Sequence, residues 1–433
     1  MAATRADFLP AQYYDRVKTL QSETPAEPFE YIRGLVESSL GKPLASVFQS
    51  VDENPLGAAS IGQAHRATLL DGRSSVVKVM FPNVEEIFRS DIKTMKDFCA
   101  LAQPEHLVML DEVEKQFLTE FDFTKEAENL SLIRSNMLRA WPKEVVVPEP
   151  FLSTRSVLVM EYVPGAKLVD ALTEHFETVA MEKGMTVQQL REEMEEREER
   201  GETIAGPTAQ EMRRYQAIVQ AKTSIANTKA WGYNTFVRPL VGGQRREYRE
   251  ARLPLNTAAI IDLLFRVHGH QVFADGAFNG DPHPGNILLT PDGRLGLIDY
   301  GQVKHISLED RLKLANLVVA LAEDDRAAVV RAYTDMGFRT EKMDPHVIYE
   351  HAKAVYDNDH RDTLGGKNIQ LFLEELQAKD PVKVMPDEYI MVGRVAALLR
   401  GLAYALKYKP SVAKLWEPQA RALLAKHEKR GRE

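Results

Sequence analysis

Three side chains with oxygen ligands stand in a pattern that suits metal binding and the positioning of an attacking group. Asp281 and Asn286 lie five residues apart on a loop rich in Pro and Gly, and Asp299 follows a short apolar stretch. Carboxylate and amide oxygens are ligands that Mg²⁺ accepts in proteins, and a carboxylate can also orient a hydroxyl group or a water molecule for attack. We therefore predict that these three side chains form a site for a divalent cation and a nucleophile.

A hairpin between the loop and Asp299 is expected to bring the three side chains together. Apolar residues at 287–289 and 295–298 flank the turn Pro291-Asp292-Gly293-Arg294, which is typical of two short strands joined by a tight turn. Protein kinases carry an Asp, an Asn five positions later, and a metal-binding Asp followed by an aromatic residue and Gly. Here Asp299-Tyr300-Gly301 completes that order. Ordinary turn chemistry explains each piece alone, but the combination favours a kinase-like site.

Lys78 is the basic residue that we expect to meet phosphate. It lies in Val76-Val77-Lys78-Val79, in the second strand of a predicted strand-turn-strand over 64–70 and 75–81. A buried ammonium group without a partner is costly, so a lysine among valines indicates either an ion pair or an edge strand from which the side chain reaches water. The small residues that precede it would let backbone N–H groups approach a phosphate closely. These residues are Gly57, Ala58, Ala59 and Ser60.

An acidic stretch supplies the carboxylate that Lys78 needs. We predict an amphipathic helix over 111–137, with Glu120 as the first choice of partner and Asp122 and Glu126 as the other candidates. A solvated acidic face is the alternative for such a run of charges.

A strand predicted over 156–163 ends at Pro164-Gly165. In a two-lobed kinase the hinge between the lobes lies at such a point. Backbone groups from Glu161 to Val163 would then meet the edge of an adenine ring. A strand that leads into an ordinary turn is an equally good interpretation of the residues alone.

Composition sets limits on the class of protein. The chain has 433 residues, 44% of them hydrophobic, and a net charge of −8, which gives no support to nucleic-acid binding as its main task. A single cysteine, Cys99, excludes an intramolecular disulfide and a cysteine-based metal site. We find no apolar stretch of the ~18–20 residues that a membrane span needs, and residues 1–10 do not have the pattern of a secretory signal.

Two regions outside the motifs also bear on function. Residues 175–254 change in character and are interpreted as an insertion, part exposed helix and part flexible loop. Its basic run at 245–249 could contact an anionic membrane surface, although a solvated loop is favoured. A helix is predicted to begin at Leu308, soon after Gly301, which leaves little room for the segment that holds a peptide in protein kinases. A small-molecule or lipid substrate, or ATP hydrolysis alone, is therefore favoured over phosphorylation of other proteins.

At these motifs the sequence resembles the UbiB/ADCK (AarF-domain-containing) family of atypical protein kinase-like ATPases. The resemblance covers about residues 5–175 and 255–330. It is carried by the loop Gly57-Ala58-Ala59-Ser60-Ile61-Gly62-Gln63-Ala64-His65, the strand Val76-Val77-Lys78-Val79, the Glu120-Phe121-Asp122 motif with Glu126, the loop Asp281-Pro282-His283-Pro284-Gly285-Asn286, and Asp299-Tyr300-Gly301.

The resemblance implies an α+β, two-lobed protein-kinase-like fold, with a small sheet-containing N-lobe and a mainly helical C-lobe. The implied domains are an N-terminal helical extension over 1–50, the N-lobe over 51–165, and the C-lobe over 166–433, which contains the insertion at about 175–254. It also implies Mg-ATP binding and a role in ubiquinone, prenyl-lipid or general lipid homeostasis in bacteria, mitochondria or plastids. No membrane anchor is expected from the sequence.

The implied roles divide the candidate residues into four groups. Catalytic roles fall to Asp281, Lys78 and Glu120, with Glu120 holding Lys78. ATP contacts fall to Gly57, Ala58, Ala59, Ser60, Lys78, Glu161 and Val163. Metal ligands are Asn286 and Asp299, and the supporting residues are Asp122 and Glu126.

The sequence departs from the family pattern at three points, one of which is the insertion at about 175–254, which is not a general family feature. The family's Lys-x-Gly-Gln motif, on an element that covers the active site, is not found, so that cover is not expected within residues 1–50. Gly57 replaces the usual first Ala of the nucleotide loop, and looser phosphate contact is expected there. Two other interpretations remain open: a small-molecule kinase of the aminoglycoside or choline type, and a nucleotide-binding pseudokinase that acts as a scaffold.

Overall fold

The computed structural model describes residues 26–102, 107–199, 209–249, 255–405 and 408–430. The chain divides into two units, one of Met1–Leu168, Leu264–Ala405 and Lys409–Glu433, and the other of Val169–Leu263 and Leu406–Tyr408. The proposed insertion at about 175–254 falls in the second unit. The proposed boundaries between extension, N-lobe and C-lobe remain predictions. Within the predicted helical extension over 1–50, whose residues 11–20 have the spacing of a helix, residues 1–25 lie outside the described residues.

The bounds of the elements follow in chain order. The described helices are α1 (Phe29–Leu40), α2 (Val84–Ala102), α3 (Leu107–Phe117), α4 (Phe123–Ala140), α5 (Leu168–Lys183), α6 (Val187–Glu199), α7 (Ala209–Gly232), α8 (Arg238–Val241), α9 (Thr257–His270), α10 (Leu308–Ala322), α11 (Arg326–Asp335), α12 (Pro345–Tyr356), α13 (Ile369–Lys379), α14 (Asp387–Ala405) and α15 (Val412–Arg430). The described strands are β1 (Phe48–Ala59), β2 (Gly62–Leu69), β3 (Ser74–Met80), β4 (Val145–Val146), β5 (Pro150–Ser153), β6 (Val157–Glu161), β7 (Ala166–Lys167), β8 (Ala277–Asn279), β9 (Ile287–Leu289), β10 (Leu295–Leu297), β11 (Val303–His305), β12 (Arg339–Thr340) and β13 (Val382–Val384).

A five-stranded antiparallel sheet in the order β1-β2-β3-β6-β5 forms the N-terminal part of the first unit. Because successive side chains of a strand face opposite sides of the sheet, Val77 and Val79 point one way and Lys78 the other. The valines pack with Ile32 and Val36 of α1 in a buried apolar cluster. Lys78 is thereby directed to the opposite side of the sheet. The strand-turn-strand predicted around Lys78 is confirmed, whereas β1 was not predicted as a strand.

Helix α1 falls within the predicted helical extension over 1–50. Gly41 follows its last residue in the left-handed conformation, with φ of 67°, which glycine adopts without a steric penalty.

The prediction of one continuous helix over 111–137 is wrong. Helix α3 ends at Phe117, a turn follows, and α4 begins at Phe123 with Asp122 as its N-cap. The Asp122 carboxylate accepts hydrogen bonds from the backbone N–H and the hydroxyl of Thr124, at 3.0 and 2.5 Å. Aspartate is favoured at this position because it satisfies a free N–H group and faces the positive end of the helix dipole. Glu120 therefore lies in the turn, and Glu126 lies in the first turn of α4.

The predicted hairpin before Asp299 is confirmed. Strands β9 and β10 pair antiparallel, with Leu289 opposite Leu295 and Ile287 opposite Leu297. Two short strands extend the hairpin into a four-stranded sheet in the order β4-β10-β9-β7. A separate pair, β8 and β11, flanks the loop and the metal motif on the chain. These short pairings were not predicted, since strands of two or three residues carry little sequence pattern.

The C-terminal part of the first unit is mainly helical. Trp416 of α15 is fully buried and donates a hydrogen bond of 2.9 Å to the backbone oxygen of Phe265 in α9. Gly269 allows this approach, because a Cβ atom there would lie 2.7 Å from the Trp416 ring. Helix α10 begins at Leu308 as predicted, with the Ser307 hydroxyl accepting from the N–H of Asp310.

Helices α5 to α8 belong mainly to the second unit. Helix α7 is followed by a π-helical turn, Tyr233–Val237, and by α8, after which residues 242–249 run back in an extended form. The prediction of exposed helix in the insertion agrees with α7, where Ala230 is the one buried residue among the described positions 210–232.

Candidate active site

One cavity of about 600 Å³ in the first unit collects the candidate site residues, a volume in the range of small-molecule sites. It is lined by Gly57, Ala58, Ala59, Ser60, Lys78, Glu120, Glu126, Glu161, Val163, Asp281, Asn286 and Asp299. Asp122 is absent from this lining, and its side chain caps α4 instead.

Lys78 connects three elements at the centre of this cavity. Its Nζ lies 2.5 Å from Oε1 of Glu126 in α4 and 3.0 Å from Oδ2 of Asp299. One fifth of the Lys78 side chain is exposed, while Glu126 is buried. Charge-assisted hydrogen bonds of this length are among the stronger side-chain interactions. The ion pairs therefore join the five-stranded sheet, helix α4 and Asp299, two residues after β10.

The prediction that Glu120 is the partner of Lys78 is wrong. Glu120 precedes α4, whose N-cap is Asp122, and the Glu120 carboxylate instead accepts a hydrogen bond from the side chain of Gln302. Glu126, one of the two other candidates, takes the predicted place. The sequence placed all three acids on one helix and so could not separate them.

The charges in this cluster shift the pKa of each member. Burial disfavours the charged form of Lys78, but the carboxylates of Asp299 and Glu126 outweigh burial and raise its pKa above the ordinary value. Burial likewise opposes ionisation of Asp299, but Lys78 and the N–H of Gly301 hold its pKa below the ordinary value. Burial raises the pKa of Glu126 even with Lys78 beside it. The ammonium group of Lys78 and the carboxylate of Asp299 are thus both charged at neutral pH.

Glu120 titrates near neutral pH. Burial, together with the negative charges of Asp299 and Asp281, raises its pKa to about 7, while the hydrogen bond from Gln302 opposes the shift. A carboxyl group with such a pKa responds to any cation that enters the cavity, because a positive charge favours its ionised form.

Backbone and side-chain hydrogen bonds fix the loop that carries Asp281. The Asn279 side chain accepts from the N–H of Asp281 at 2.9 Å and donates to the backbone oxygen of Asp299 at 3.0 Å, so it joins the two acids. The N–H of Gly280 donates to the oxygen of Gln302. The loop is therefore positioned before any ligand binds.

His283 shapes the same loop. Its Nδ1 accepts a hydrogen bond of 3.1 Å from the N–H of Gly285, and its backbone oxygen accepts from Asn286. Burial lowers the pKa of His283, which favours the neutral ring that can accept this bond.

Arg394 is a site residue that the sequence analysis missed. It lies in α14, and its Nη2 is 3.7 Å from Oδ1 of Asp281. An arginine between apolar neighbours, in Met391-Val392-Gly393-Arg394-Val395-Ala396, is the signal that could have indicated a charged partner, but the sequence does not reveal which acid it meets.

The end of β6 supplies a hinge-like edge to the cavity. The N–H groups of Glu161 and Tyr162 already donate to Glu149 and Ser74, and the Glu161 carboxylate pairs with Arg134 at 3.0 Å. Val163 lines the cavity next to these residues.

Gly62, rather than Gly57, is the glycine that the small-residue hairpin requires for space. A Cβ atom at Gly62 would lie 2.1 Å from the backbone oxygen of Val79 in β3, whereas one at Gly57 would meet no atom within 4 Å. The packing of the hairpin therefore does not require a glycine at position 57, where the residue lines the cavity.

The cavity offers few protein ligands for a cation, so a substrate and water would have to complete its coordination shell. Among the described residues, no group of three His, Cys, Asp or Glu side chains is placed to hold a metal ion. Asn286 and Asp299 both line the cavity. Mg²⁺ is commonly bound by one or two protein side chains, with substrate phosphates and water completing its shell.

Comparison with known proteins places this geometry in a family. The model of the ABC1 atypical kinase-like domain matches residues 19–196 and 243–333, which is more than half of the chain. The chain belongs to the ABC1 atypical kinase-like family. This confirms the UbiB/ADCK resemblance, and homologues named as kinases of this family match across most of the chain.

Two relatives show the extent of the similarity to ABC1 proteins. The chloroplastic protein ACTIVITY OF BC1 COMPLEX KINASE 3 of Arabidopsis thaliana is 26% identical over 414 residues, which cover 93% of this chain and 47% of the relative. The uncharacterized protein slr0889 of Synechocystis sp. is 26% identical over 337 residues, or 75% of this chain and 65% of the relative. The chain thus spans about half to two thirds of the length of these relatives.

A solved structure supports the fold of this ABC1 chain. The Mycobacterium tuberculosis protein Rv3197, solved in complex with erythromycin, matches with a TM-score of 0.53 and 17% identity, over 95% of this chain and 88% of that one. The kinase-like fold class, with a sheet-containing N-lobe, is confirmed. The described helices include none with the length and apolarity needed to cross a membrane.

The corrected partner of Lys78 gives a stability test. At about pH 8, where both carboxyl groups are mostly ionised, Glu126→Gln should lower the free energy of unfolding relative to Glu120→Gln, because a neutral amide accepts a weaker hydrogen bond from the buried ammonium group of Lys78. Glu120→Gln is the matched control, since the same chemical change falls on a carboxylate that contacts Gln302 instead. Urea unfolding measures both variants. Equal losses, or a larger loss for Glu120→Gln, would contradict the pairing.

Glu120 should also make the chain less stable as pH rises through neutrality. Its pKa of about 7 in the folded chain lies above the ordinary value of 4.5, so the folded state binds this proton more tightly than the unfolded state. The resulting stabilisation is complete below the ordinary value and is lost as pH rises through about 7. Glu120→Gln removes this titration, so its unfolding free energy relative to wild type should be higher at about pH 8 than at about pH 5. A difference that does not change with pH would count against the shift.

Proposed function

We propose that the chain binds Mg-ATP in this cavity and acts as an atypical kinase or ATPase. The observation that carries the proposal is the bridge from Lys78 to both Glu126 and Asp299 within one cavity. In kinases a strand lysine that is held by a helix glutamate, together with a metal-binding Asp, marks an assembled nucleotide site. The family supports kinase-like chemistry, because relatives across most of the chain are named as kinases.

Each residue has a proposed task that follows from its position. Lys78, held by Glu126 and Asp299, presents a fixed positive charge to phosphate oxygens. The hairpin residues from Gly57 to Ser60 form one wall of the cavity and offer backbone N–H groups to the same phosphates. Val163 donates its N–H to the base. Burying the base between apolar side chains of the two lobes would add affinity; these side chains are Ala64, Val76, Met160 and Leu288.

Asp281 is the proposed positioning group for the attacking hydroxyl or water. Its loop is fixed by Asn279, and Arg394 sets the direction of its carboxylate. Asn286 and Asp299 would hold Mg²⁺, which supplies neutralisation of phosphate charge when bound. Asp299 remains ionised because Lys78 and the N–H of Gly301 lower its pKa, so it keeps the charge that a hard cation prefers.

The proposed substrate is a small or lipid-like molecule. Strand β11 and helix α10 begin at Val303 and Leu308, directly after the metal motif. This leaves no described segment on which an extended peptide could lie between Gly301 and α10. A role in prenyl-lipid or ubiquinone homeostasis, in a plastid, a mitochondrion or a bacterium, is proposed from the family. The chloroplastic names of plant relatives support the plastid location if the chain is eukaryotic.

Asp299→Asn tests the assignment of the metal ligand. Loss of the negative charge should lower Mg²⁺-dependent ATP turnover on the order of a hundredfold or more, because charge neutralisation at the phosphates is lost. Thermal stabilisation by ATP should also lose its dependence on Mg²⁺. Asp292→Asn is the matched control, since Asp292 lies in the turn of the same hairpin and bonds Thr290 and Arg294.

The outcomes separate an enzyme from a scaffold. Unchanged Mg²⁺-dependent stabilisation in Asp299→Asn would contradict the metal assignment. Mg²⁺-dependent ATP binding by the wild-type chain without phosphate release, with prenyl-quinone lipids and small amino-alcohol or aminoglycoside acceptors each present in turn, would favour the pseudokinase scaffold instead.

A further inference from the structure

A group of exposed apolar side chains lies at the end of the helical segment of the second unit. We call it the apolar tip, and it consists of Trp231, Phe236, Val237, Leu240 and Val241. Their exposed fractions run from 43% for Val237 to 86% for Leu240. Exposed apolar side chains gathered in one place, rather than scattered singly, mark a surface that meets another apolar phase or partner.

The tip residues lie close together on the end of α7, the π-helical turn and α8. Phe236 and Leu240 are four positions apart, as are Val237 and Val241, and residues at this spacing are neighbours on a helix surface. The rings of Trp231 and Phe236 meet edge to face, with centroids 5.5 Å apart. The tip therefore gathers aromatic and aliphatic groups in one short segment.

Positive charge surrounds the tip. Residues 209–249 contain eight Lys and Arg against two Glu, a net charge of +6, in a chain whose net charge is −8. Arg238, Arg245, Arg246 and Arg249 lie within or directly after the tip and are exposed. Charge is therefore segregated, with a strongly basic segment on an acidic protein.

Side-chain hydrogen bonds hold the basic segment, residues 245–249, against the helix. Asn227 bonds both backbone groups of Arg249, at 2.7 and 2.8 Å, and Asn234 bonds both backbone groups of Arg246, at 2.9 and 2.7 Å. The guanidinium of Arg246 also lies 4.0 Å from the centroid of the Tyr233 ring. The two asparagines are seven positions apart, about two helical turns, so they hold the returning strand parallel to the helix axis. The arginines are thus held beside the tip.

We propose that residues 227–249 dock on an anionic membrane surface, with the apolar tip in the headgroup region and the arginines on lipid phosphates. Apolar residues with aromatic members beside a cluster of basic residues match the two contributions to binding at such an interface, burial of apolar area and attraction to anionic lipid. Trp and Tyr are favoured at this depth because their rings are apolar and their polar groups remain hydrated. This inference does not depend on the nucleotide site.

The same observations disfavour other occupants. A nucleic acid could place its phosphates on the arginines and stack a base on Trp231. It would not bury the aliphatic side chains of Leu240 and Val241, which are the most exposed of the tip residues. A second copy of this segment would bring two charges of +6 together, and like charges in an interface oppose association. An anionic lipid surface provides both an apolar environment for the aliphatic groups and negative charge for the arginines.

The full chain should bind vesicles of phosphatidylcholine that contain phosphatidylglycerol and should bind phosphatidylcholine alone much more weakly. Arg245→Gln with Arg249→Gln should lower the partition coefficient on the order of thirtyfold, from the contribution of each arginine near an anionic surface. The backbone of Arg249 stays available to Asn227, and Arg246 with its bonds to Asn234 is unchanged. Lys42→Gln with Lys429→Gln makes the same change in net charge at exposed positions of the first unit and should leave binding unchanged.

Leu240→Ser tests the apolar contribution, with Leu101→Ser as its control, because Leu101 is 89% exposed in the first unit. Only the first variant should weaken binding. Trp231 reports on the site directly, since Trp416 is buried and Trp141 is half-buried. Its emission should shift to the blue when anionic vesicles are added, and Trp231→Phe should remove that shift.

Any of four results would overturn the proposal. The first is equal binding to the two kinds of vesicle, and the second is an equal loss of vesicle binding in Leu240→Ser and Leu101→Ser. The third is binding of single-stranded RNA or DNA that depends on Leu240, and the fourth is a dimer in solution that Leu240→Ser dissociates. Either of the last two would assign the tip to another partner.

Discussion

The bridge from Lys78 to Glu126 and Asp299 is the interaction on which the candidate active site depends. Its three members come from β3, from the first turn of α4, and from the second residue after β10. A buried ammonium group needs such partners, because it would otherwise lose its hydration without compensation. The alternation of β3 places Lys78 away from α1, and the N-cap at Asp122 sets which glutamate of α4 can reach it. The bridge thus holds β3, α4 and Asp299 together in one site.

The same bridge explains how charge is distributed in the cavity. Lys78 keeps Asp299 ionised, whereas burial raises the pKa of both Glu126 and Glu120 to about 7. Asn279 connects Asp299 to Asp281, and Arg394 reaches Asp281 from α14. A cation and a phosphate group would therefore enter a cavity whose acids are already oriented. This preorganisation suits a reaction in which the protein contributes positioning and electrostatic stabilisation rather than covalent chemistry.

Much of this site could be predicted from the sequence, because its motifs carry their own local structure. The hairpin before Asp299, the strand of Lys78 and the early start of α10 follow from turn residues and apolar runs. The choice between Glu120 and Glu126 could not be predicted in this way, because it depends on where α4 begins, and the Asp122 cap marks that boundary. Arg394 was missed because its partner lies more than a hundred positions away. The apolar tip was missed because exposure depends on what packs nearby, which a residue pattern does not reveal.

A crystal structure of the chain with Mg²⁺ and a non-hydrolysable ATP analogue would test the proposed nucleotide site most directly. We expect the nucleotide to occupy the cavity beneath the β1–β2 hairpin, with Lys78 bonded to Glu126 and directed at the phosphates. Asn286 and Asp299 should hold the metal ion. A nucleotide bound elsewhere, or a Lys78 side chain paired with Glu120 in the complex, would contradict this proposal.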